Sequence, residues 1–241
     1  MLAWPAEAFH GQALSTTAAP SSVPHGWWFA ISLCAASGIA DAVGFVQSGV
    51  FAANMTGNTV LAGLSLASQN WSVAAARALT LATFFTGAIV GRALLRAARG
   101  RSWMALALEA AMLAVSAFLD PHAPLTIWLI AAAMGLQSTG MTRFGNISIS
   151  TVVVTSTLSR LGESLVDHIV PRRQPMNTGP AAPSARLLVA VWASYGIGAL
   201  VAALLLRVTA YVLLLPALIV LVIALLSARN LPSATPGSPR A

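Results

Sequence analysis

One polar stretch near the start of the chain carries the groups best suited to bind a solute or an ion. The stretch is Ser48–Leu64, SGVFAANMTGNTVLAGL, and apolar runs lie on both sides of it. Its amide and hydroxyl groups can hydrogen-bond a polar solute or replace the water around an ion. The same groups can instead join neighbouring membrane helices at about 1 kcal/mol per bond, so both interpretations stay open. The candidate residues are Asn54, Thr56, Gly57, Asn58 and Thr59.

Asp41 is the strongest single candidate, because its carboxyl group lies well inside the first apolar run, Trp27–Val50. A charged side chain at the centre of a bilayer costs about 2.5–3.5 kcal/mol on insertion scales. One hypothesis makes Asp41 a proton or cation site. The other makes it a protonated or hydrogen-bonded residue that fixes its helix against the polar stretch.

The later part of the chain offers counterparts in Gln137, Thr155 and Thr157, with the same choice between binding and packing. No catalytic signature accompanies any of these residues: the sequence has no HExxH, no GxSxG and no phosphate-binding glycine loop. The four histidines fall in tails or loops without ligand spacing. We therefore predict a protein that is not an enzyme, with no catalytic residues, no cofactor and no metal site.

The composition requires a membrane around these residues. The chain has 241 residues, of which 57% are hydrophobic and only 8% charged, whereas a soluble domain carries about a quarter charged residues. The basic residues are thirteen Arg and no Lys. They lie mainly at the ends of apolar runs, which is typical of membrane helices and not of a nucleic-acid surface. The lipid bilayer is thus the predicted partner, and nucleic acid is excluded.

Six apolar runs are long enough, or nearly so, to cross a hydrocarbon layer that takes about 20 helical residues. Two more segments, Phe51–Ser68 and Ile149–Leu165, have helical length but are more polar. We predict an all-α membrane domain over residues 27–227, with halves 27–120 and 121–227, between disordered tails at 1–26 and 228–241. The predicted spans are Trp27–Val50, Ala76–Leu95, Trp103–Leu119, Ala123–Thr142, Ala185–Leu206 and Thr209–Ser227.

The distribution of arginine decides between six and eight crossings. With six, both tails and eleven arginines share one side, and only Arg77 and Arg207 lie opposite. With eight, the loops holding Arg92–Arg101 and Arg172–Arg186 fall on opposite sides, and the bias largely disappears. The positive-inside rule therefore favours six spans with cytoplasmic tails, and two polar segments that enter without crossing or lie along the interface.

The two halves share a weak internal repeat. Gly38-x-x-Asp41 and then Ala76-Arg77 in the first half match Gly135-x-x-Ser138 and Ala185-Arg186 in the second. Gly87 and Gly196 each lie ten residues beyond the Arg. Three spans in each half would make the repeats inverted, a recurrent plan of secondary transporters. On this plan we expect Asn54–Thr59 and Thr155–Thr157 to face each other.

The motif Gly38-x-x-Asp41-Ala42, with the later string Asn54–Val60 (NMTGNTV), resembles the signature of the YoaK family of bacterial membrane proteins. Gly135-Leu136-Gln137 and Thr155–Leu158 resemble that family's second block, with Ser138 and Ser156 where Asn and Gly are expected. The resemblance covers residues 27–227 and implies an integral protein of the bacterial inner membrane. It implies no substrate, reaction or cofactor, because the family is built on a domain of unknown function.

Two hypotheses about function follow. The first is a transporter or channel for a small polar solute or ion, coupled to protons through Asp41. The second is a membrane scaffold or accessory subunit, whose polar residues only hold helices together. A transporter needs water to reach Asp41, whereas a scaffold needs a dry and fully bonded network. An oligomer is compatible with both, although the small-residue face Gly87-x-x-x-Gly91 favours packing within the fold.

Overall fold

The computed structural model describes residues 26–98, 101–140, 154–169 and 185–229. These ranges form eight α-helices and no strand, which confirms the all-α membrane class. The predicted tails lie outside the described residues, except that Gly26 begins the first helix and Arg229 ends the last. The helices are α1 Gly26–Ser48, α2 Met55–Ala67, α3 Trp71–Ala97, α4 Trp103–Ser116, α5 Pro124–Gly140, α6 Val154–Ile169, α7 Ala185–Leu205 and α8 Leu214–Arg229.

Three of these helices are long and apolar enough to cross a membrane by themselves, namely Trp27–Ser48, Trp71–Ala97 and Ala185–Leu205. α4 and α8 are shorter apolar helices. The outer faces of α3 and α7 expose large apolar side chains such as Phe85 and Ile197. Such surfaces suit lipid and are rare on soluble monomers.

Contacts between helices fix the direction in which each one runs. His122, just before α5, lies 3.0 Å from the carbonyl of Gln47 at the end of α1. At the opposite end, Gln137 of α5 bonds the carbonyl of Leu33, so α1 and α5 are antiparallel. The contacts between α3 and α5 advance in the same direction along both helices, so these two helices are parallel. The contacts between α1 and α7 do the same, so α7 is parallel to α1.

These directions place the helix ends on two opposite faces of the bundle. α1 ends and α3 begins on one face, so α2 returns to the face from which it started. α5 ends and α7 begins on the other face. α1, α3, α5 and α7 each run from one of these faces to the other. Arg77 and Arg207 lie toward the face where α1 ends, and the other described span-end arginines lie toward the opposite, Arg-rich face; these are Arg92, Arg96, Arg101, Arg186 and Arg229.

α1 and α7 cross with their backbones in contact. A Cβ added to Gly38 would collide with the carbonyl of Tyr195, and one added to Gly198 would collide with the carbonyl of Ala35. Glycine is therefore required at both positions for this close approach. The crossing joins the first half of the chain to the second.

α3 and α5 cross in the same way. A Cβ on Gly135 would collide with the carbonyl of Phe84, and one on Gly87 would collide with the carbonyl of Ala132. Gly91 packs on the same helix against Leu136 and Thr139, so the Gly87-x-x-x-Gly91 face is used inside the fold, as predicted.

The two crossings are copies of each other and establish the internal repeat. Residue numbers differ by 97 between α1 and α5 (35 and 132, 38 and 135) and by 111 between α3 and α7 (84 and 195, 87 and 198). The repeat-related helices α1 and α5 are antiparallel, so the repeats are inverted. The predicted match of Gly87 with Gly196 was wrong by two residues, because Gly196 has nothing within 4 Å and Gly198 makes the contact.

Local chemistry explains where several helices differ from their predicted bounds. α1 ends before Gly49, whose φ of +66° favours glycine. α2 begins at Met55, four residues later than predicted, because Asn54 caps it by accepting from the N–H of Gly57. α3 begins at Trp71 and not Ala76, because Asn70 caps it in the same way. α8 begins at Leu214, after turns at 205–213, and Pro216 in its first turn forfeits no intrahelical bond.

The expectation that the two polar half-helices face each other was wrong. α2 packs on α3 and α6 packs on α7, and within the described ranges α2 and α6 make no contact. α2 forms a hairpin with α3, which follows it after a short turn at 68–70. Arg77 of α3 fixes the first hairpin by donating to the Leu61 carbonyl at 2.6 Å and to the Ser65 hydroxyl.

Candidate functional site

The side chain of Asp41 is the centre of a closed hydrogen-bond network. It is 3% exposed. Oδ1 accepts from the backbone N–H of Ala53 at 2.5 Å and of Asn54 at 3.1 Å. Oδ2 accepts from the hydroxyl of Tyr195. All these donors are neutral, and together they satisfy both oxygens of a carboxyl group that is buried away from water.

The loop between α1 and α2 reaches Asp41 because it folds back along α1. Gly44 leaves room for this return: a Cβ there would lie 2.9 Å from the carbonyl of Val50 and 3.4 Å from the N–H nitrogen of Ala52. Phe45 and Phe51 stack across the fold-back with ring centroids 4.6 Å apart. The start of α2 therefore lies beside Asp41, two helical turns before the end of α1.

Asn58 holds the same loop from the other side. Its side chain is fully buried, donates from Nδ2 to the carbonyl of Phe51 at 2.7 Å and accepts at Oδ1 from the N–H of Phe51 at 2.9 Å. This two-point bond uses both ends of the amide and fixes the loop as a β-bridge would. Asn58 is thus a buried loop anchor in this closed structure.

Gln137 extends the polar network along α1 toward the Arg-rich face. Its Nε2 donates to the hydroxyl of Ser37 at 2.9 Å and to the carbonyl of Leu33 at 3.1 Å. Ser37 lies one turn before Asp41 on the same face of α1. Gln137, Ser37 and Asp41 are buried, and with the half-buried Tyr195 they form a polar row between the two halves of the chain.

The other predicted residues are not part of this row. Thr56 and Thr59 are exposed on the outer side of α2, and the Thr59 hydroxyl donates to the carbonyl of Met55 in its own helix. Gly57 packs against Asn54 and Phe51, and a Cβ there would lie 3.0–3.2 Å from their side chains. Thr157 is buried in α6, which packs on α7, and Thr155 lies in the first turn of that helix.

Sequence reasoning missed Tyr195 and did not select Glu109. Tyr195 is one of two tyrosines in the chain, and a phenol in the middle of a span is a signal for a buried acceptor nearby. Glu109, midway along α4, is fully buried, and neither of its oxygens has a hydrogen-bond partner among the described residues. Within those residues no group of three or more His, Cys, Asp or Glu could hold a metal ion.

The arrangement can offer one carboxylate oxygen to a ligand if the two halves separate. The bonds from Ala53 and Asn54 to Oδ1 lie within the first half, whereas the bond from Tyr195 to Oδ2 connects the halves. Separation would break only the second. The oxygen then left free accepts hydrogen bonds, a proton or a cation.

Comparisons with known proteins agree with this architecture. A family model described as "Protein of unknown function (DUF1275)" matches residues 29–226. The UPF0700 transmembrane protein YoaK of Bacillus subtilis (strain 168) is 35% identical over 156 residues, which cover 59% of this chain and 68% of that protein. No solved structure matches. The resemblance to the YoaK family is confirmed.

Proposed function

We propose that this chain, which belongs to the DUF1275 family of transmembrane proteins, moves a small polar solute or an ion across the membrane. The observation that carries the proposal is the inverted repeat, with a buried carboxyl group where the halves meet. Inverted repeats with partial helices recur in secondary transporters, where the halves rock around a site near the midplane. Likeness of plan is an analogy, so the chemistry at Asp41 has to support it.

Asp41 supplies that chemistry as a gate between the halves. In the closed structure its Oδ2 is occupied by Tyr195 from the other half. Rocking of the halves withdraws the tyrosine and leaves Oδ2 open to water and solute, while Ala53 and Asn54 keep Oδ1 in place. The substrate is then a cation, a proton or a solute with an N–H or O–H donor. Proton coupling through Asp41 follows, because a bound proton can replace the lost tyrosine donor.

The proposal includes the orientation of the protein in the membrane. The Arg-rich face is the cytoplasmic face of the bacterial inner membrane, because translocation disfavours loops rich in arginine. Both chain ends then lie in the cytoplasm. The protein needs no cofactor and performs no covalent chemistry, since transport by this route requires only binding and movement.

A deletion strain tests transport even though the solute is unidentified. Its metabolite profile should differ from that of the parent, and expression of the wild-type chain should restore it. Asp41→Asn should fail to restore the profile although the protein accumulates in the membrane, because the amide cannot carry charge. Ser138→Ala, at the repeat-related position, is the control and should restore it. Restoration by Asp41→Asn would reject the role of Asp41, and an unchanged profile in the deletion strain would reject transport.

A second candidate is a non-transporting scaffold or accessory subunit. The closed network around Asp41 favours it, because every oxygen of that carboxyl has a donor and the side chain is 3% exposed. Such a network also holds helices together without movement. The two candidates differ in whether the network opens, which accessibility to a water-soluble reagent can measure.

A further inference from the structure

Glu109 is a second buried acid in the membrane domain, and its surroundings differ from those of Asp41. It lies midway along α4 on the face that also buries Leu106 and Leu113. Its side chain has no exposed surface, and neither Oε1 nor Oε2 accepts a hydrogen bond from any described residue. An ionised carboxylate in such a place would lose its hydration without replacement, a penalty of several kcal/mol that protonation avoids.

No described counter-ion relieves this cost. α4 packs on α8, on α5 and, less extensively, on α3. α5 has no titratable side chain, and the one in α8 is the exposed Arg229 in its last turn. The titratable residues of α3 are Arg77, Arg92 and Arg96; Arg92 and Arg96 are exposed, and Arg77 donates to α2. Among the described residues of these helices, Glu109 therefore has no hydrogen-bond donor and no charged partner.

The inverted repeat shows that the fold does not need an acid at this position. Continuing the difference of 111 from α3 and α7 to the helices that follow them pairs Glu109 with Val220, which is also fully buried. The same difference pairs buried Leu106 with buried Ala217, and buried Leu113 with buried Ala224. The second half thus fills the equivalent place with a hydrocarbon side chain.

From this placement we infer that Glu109 is a proton-binding site of the membrane domain, filled while α4, α5 and α8 are packed together. The inference rests on the proposed transport function and adds the group that carries the coupling proton in the closed state. The proton leaves to water as H⁺ when α4 moves away from α8, and the carboxylate that remains is then hydrated. A metal cation is a poorer occupant, because hard cations require six or more oxygen ligands and the carboxyl group of Glu109 supplies two.

Infrared spectroscopy of the purified protein in lipid tests the inference without any substrate. A protonated carboxyl without hydrogen-bond donors gives a separate C=O stretching band, distinct from that of ionised carboxylates. We expect this band in the wild type at neutral pH. It should shift in protein made with glutamate labelled with ¹³C in the side-chain carboxyl, and not with aspartate so labelled. Glu109→Gln should remove it, whereas Asp41→Asn and Glu163→Gln, at an exposed acid, should leave it.

Each outcome decides the matter. A band that shifts with labelled glutamate and disappears in Glu109→Gln supports the inference. Absence of the band in folded wild-type protein overturns it, as does a band that persists in Glu109→Gln. If Glu109→Gln does not fold, the shift in labelled wild-type protein decides alone, because the acid at Glu163 is exposed and Glu7 lies before the membrane domain. A band from Glu109 in a protein that fails the metabolite test would keep the proton site and reject transport.

Discussion

The α1–α7 and α3–α5 crossings have the same backbone and different chemistry. Both bring a glycine against a carbonyl of the partner helix twice. At the first crossing the next turn carries Asp41, bonded to Tyr195. At the second, the equivalent positions are Ser138, whose hydroxyl bonds its own helix, and Phe84. The fold therefore requires the glycines in both halves, whereas the acid and the phenol have a role at the first crossing alone.

This difference distinguishes residues that stabilise the fold from residues that are candidates for function. A fold that needed an acid at each crossing would have two, and the second crossing assembles without one. The same holds for Glu109, whose counterpart is Val220. Buried ionisable groups that a structural repeat does not require are candidates for function, since they are costly to keep in a membrane.

The largest expected effect comes from a change that breaks the backbone symmetry of the two crossings. Gly198→Val places a branched side chain against the Ala35 carbonyl, which cannot move without displacing α1. Overpacking typically costs about 1–3 kcal/mol and occasionally more. A collision with backbone lies at the upper end, so we expect little folded protein by size-exclusion chromatography in detergent. Gly196→Val, two residues away on the same helix with nothing within 4 Å, is the control and should fold. Equal losses in both variants would contradict the register of 111.

A smaller effect tests the polar chemistry of the first crossing. Asp41→Leu leaves the N–H groups of Ala53 and Asn54 and the Tyr195 hydroxyl without their acceptor. We expect a loss of about 3 kcal/mol in the free energy of unfolding, measured by denaturant titration in detergent. Ser138→Ala removes only a bond within its own turn and should cost less than about 1 kcal/mol. Similar losses in the two variants would show that the crossings do not differ.

The smallest effect isolates the bond between the halves. Tyr195→Phe removes one hydroxyl and should lower the free energy of unfolding by about 1 kcal/mol. Tyr211→Phe, at the exposed second tyrosine, should change nothing. In combination with Asp41→Asn, the loss caused by Tyr195→Phe should shrink, because the two changes remove the same interaction. Additive losses would mean that the tyrosine stabilises the protein through other contacts.

The sequence predicts the membrane fold well because lipid imposes strong rules. Apolar length locates the spans, and the opposed positions of Arg77 and Arg186 indicate inverted halves. Where the sequence prediction failed, the deciding contact is between helices. The Arg pair suggested matching Gly87 with Gly196, but the backbone contact that defines the repeat is made by Gly198.

The sequence predicted the candidate site only in part, again because contacts between helices decide the rest. Asp41, Asn58 and Gln137 were identifiable because polar groups are rare in apolar runs, and the structure buries all three. Thr56 has the same polar character but points outward, since the direction of a half-helix is set by its partner span. Tyr195 meets Asp41 across 154 residues, a distance over which sequence spacing gives no information.

Accessibility of Ala53 to water tests most directly whether the site opens. Ala53 is 2% exposed, and a cysteine there leaves every side-chain hydrogen bond of the site intact. In a Cys34→Ala background, we predict that Ala53→Cys reacts with a membrane-impermeant maleimide in protein reconstituted in lipid. Ala131→Cys, fully buried in α5, should stay unreactive over the same time. Failure of Ala53→Cys to react, in protein shown to be folded, would contradict transport and leave the closed scaffold.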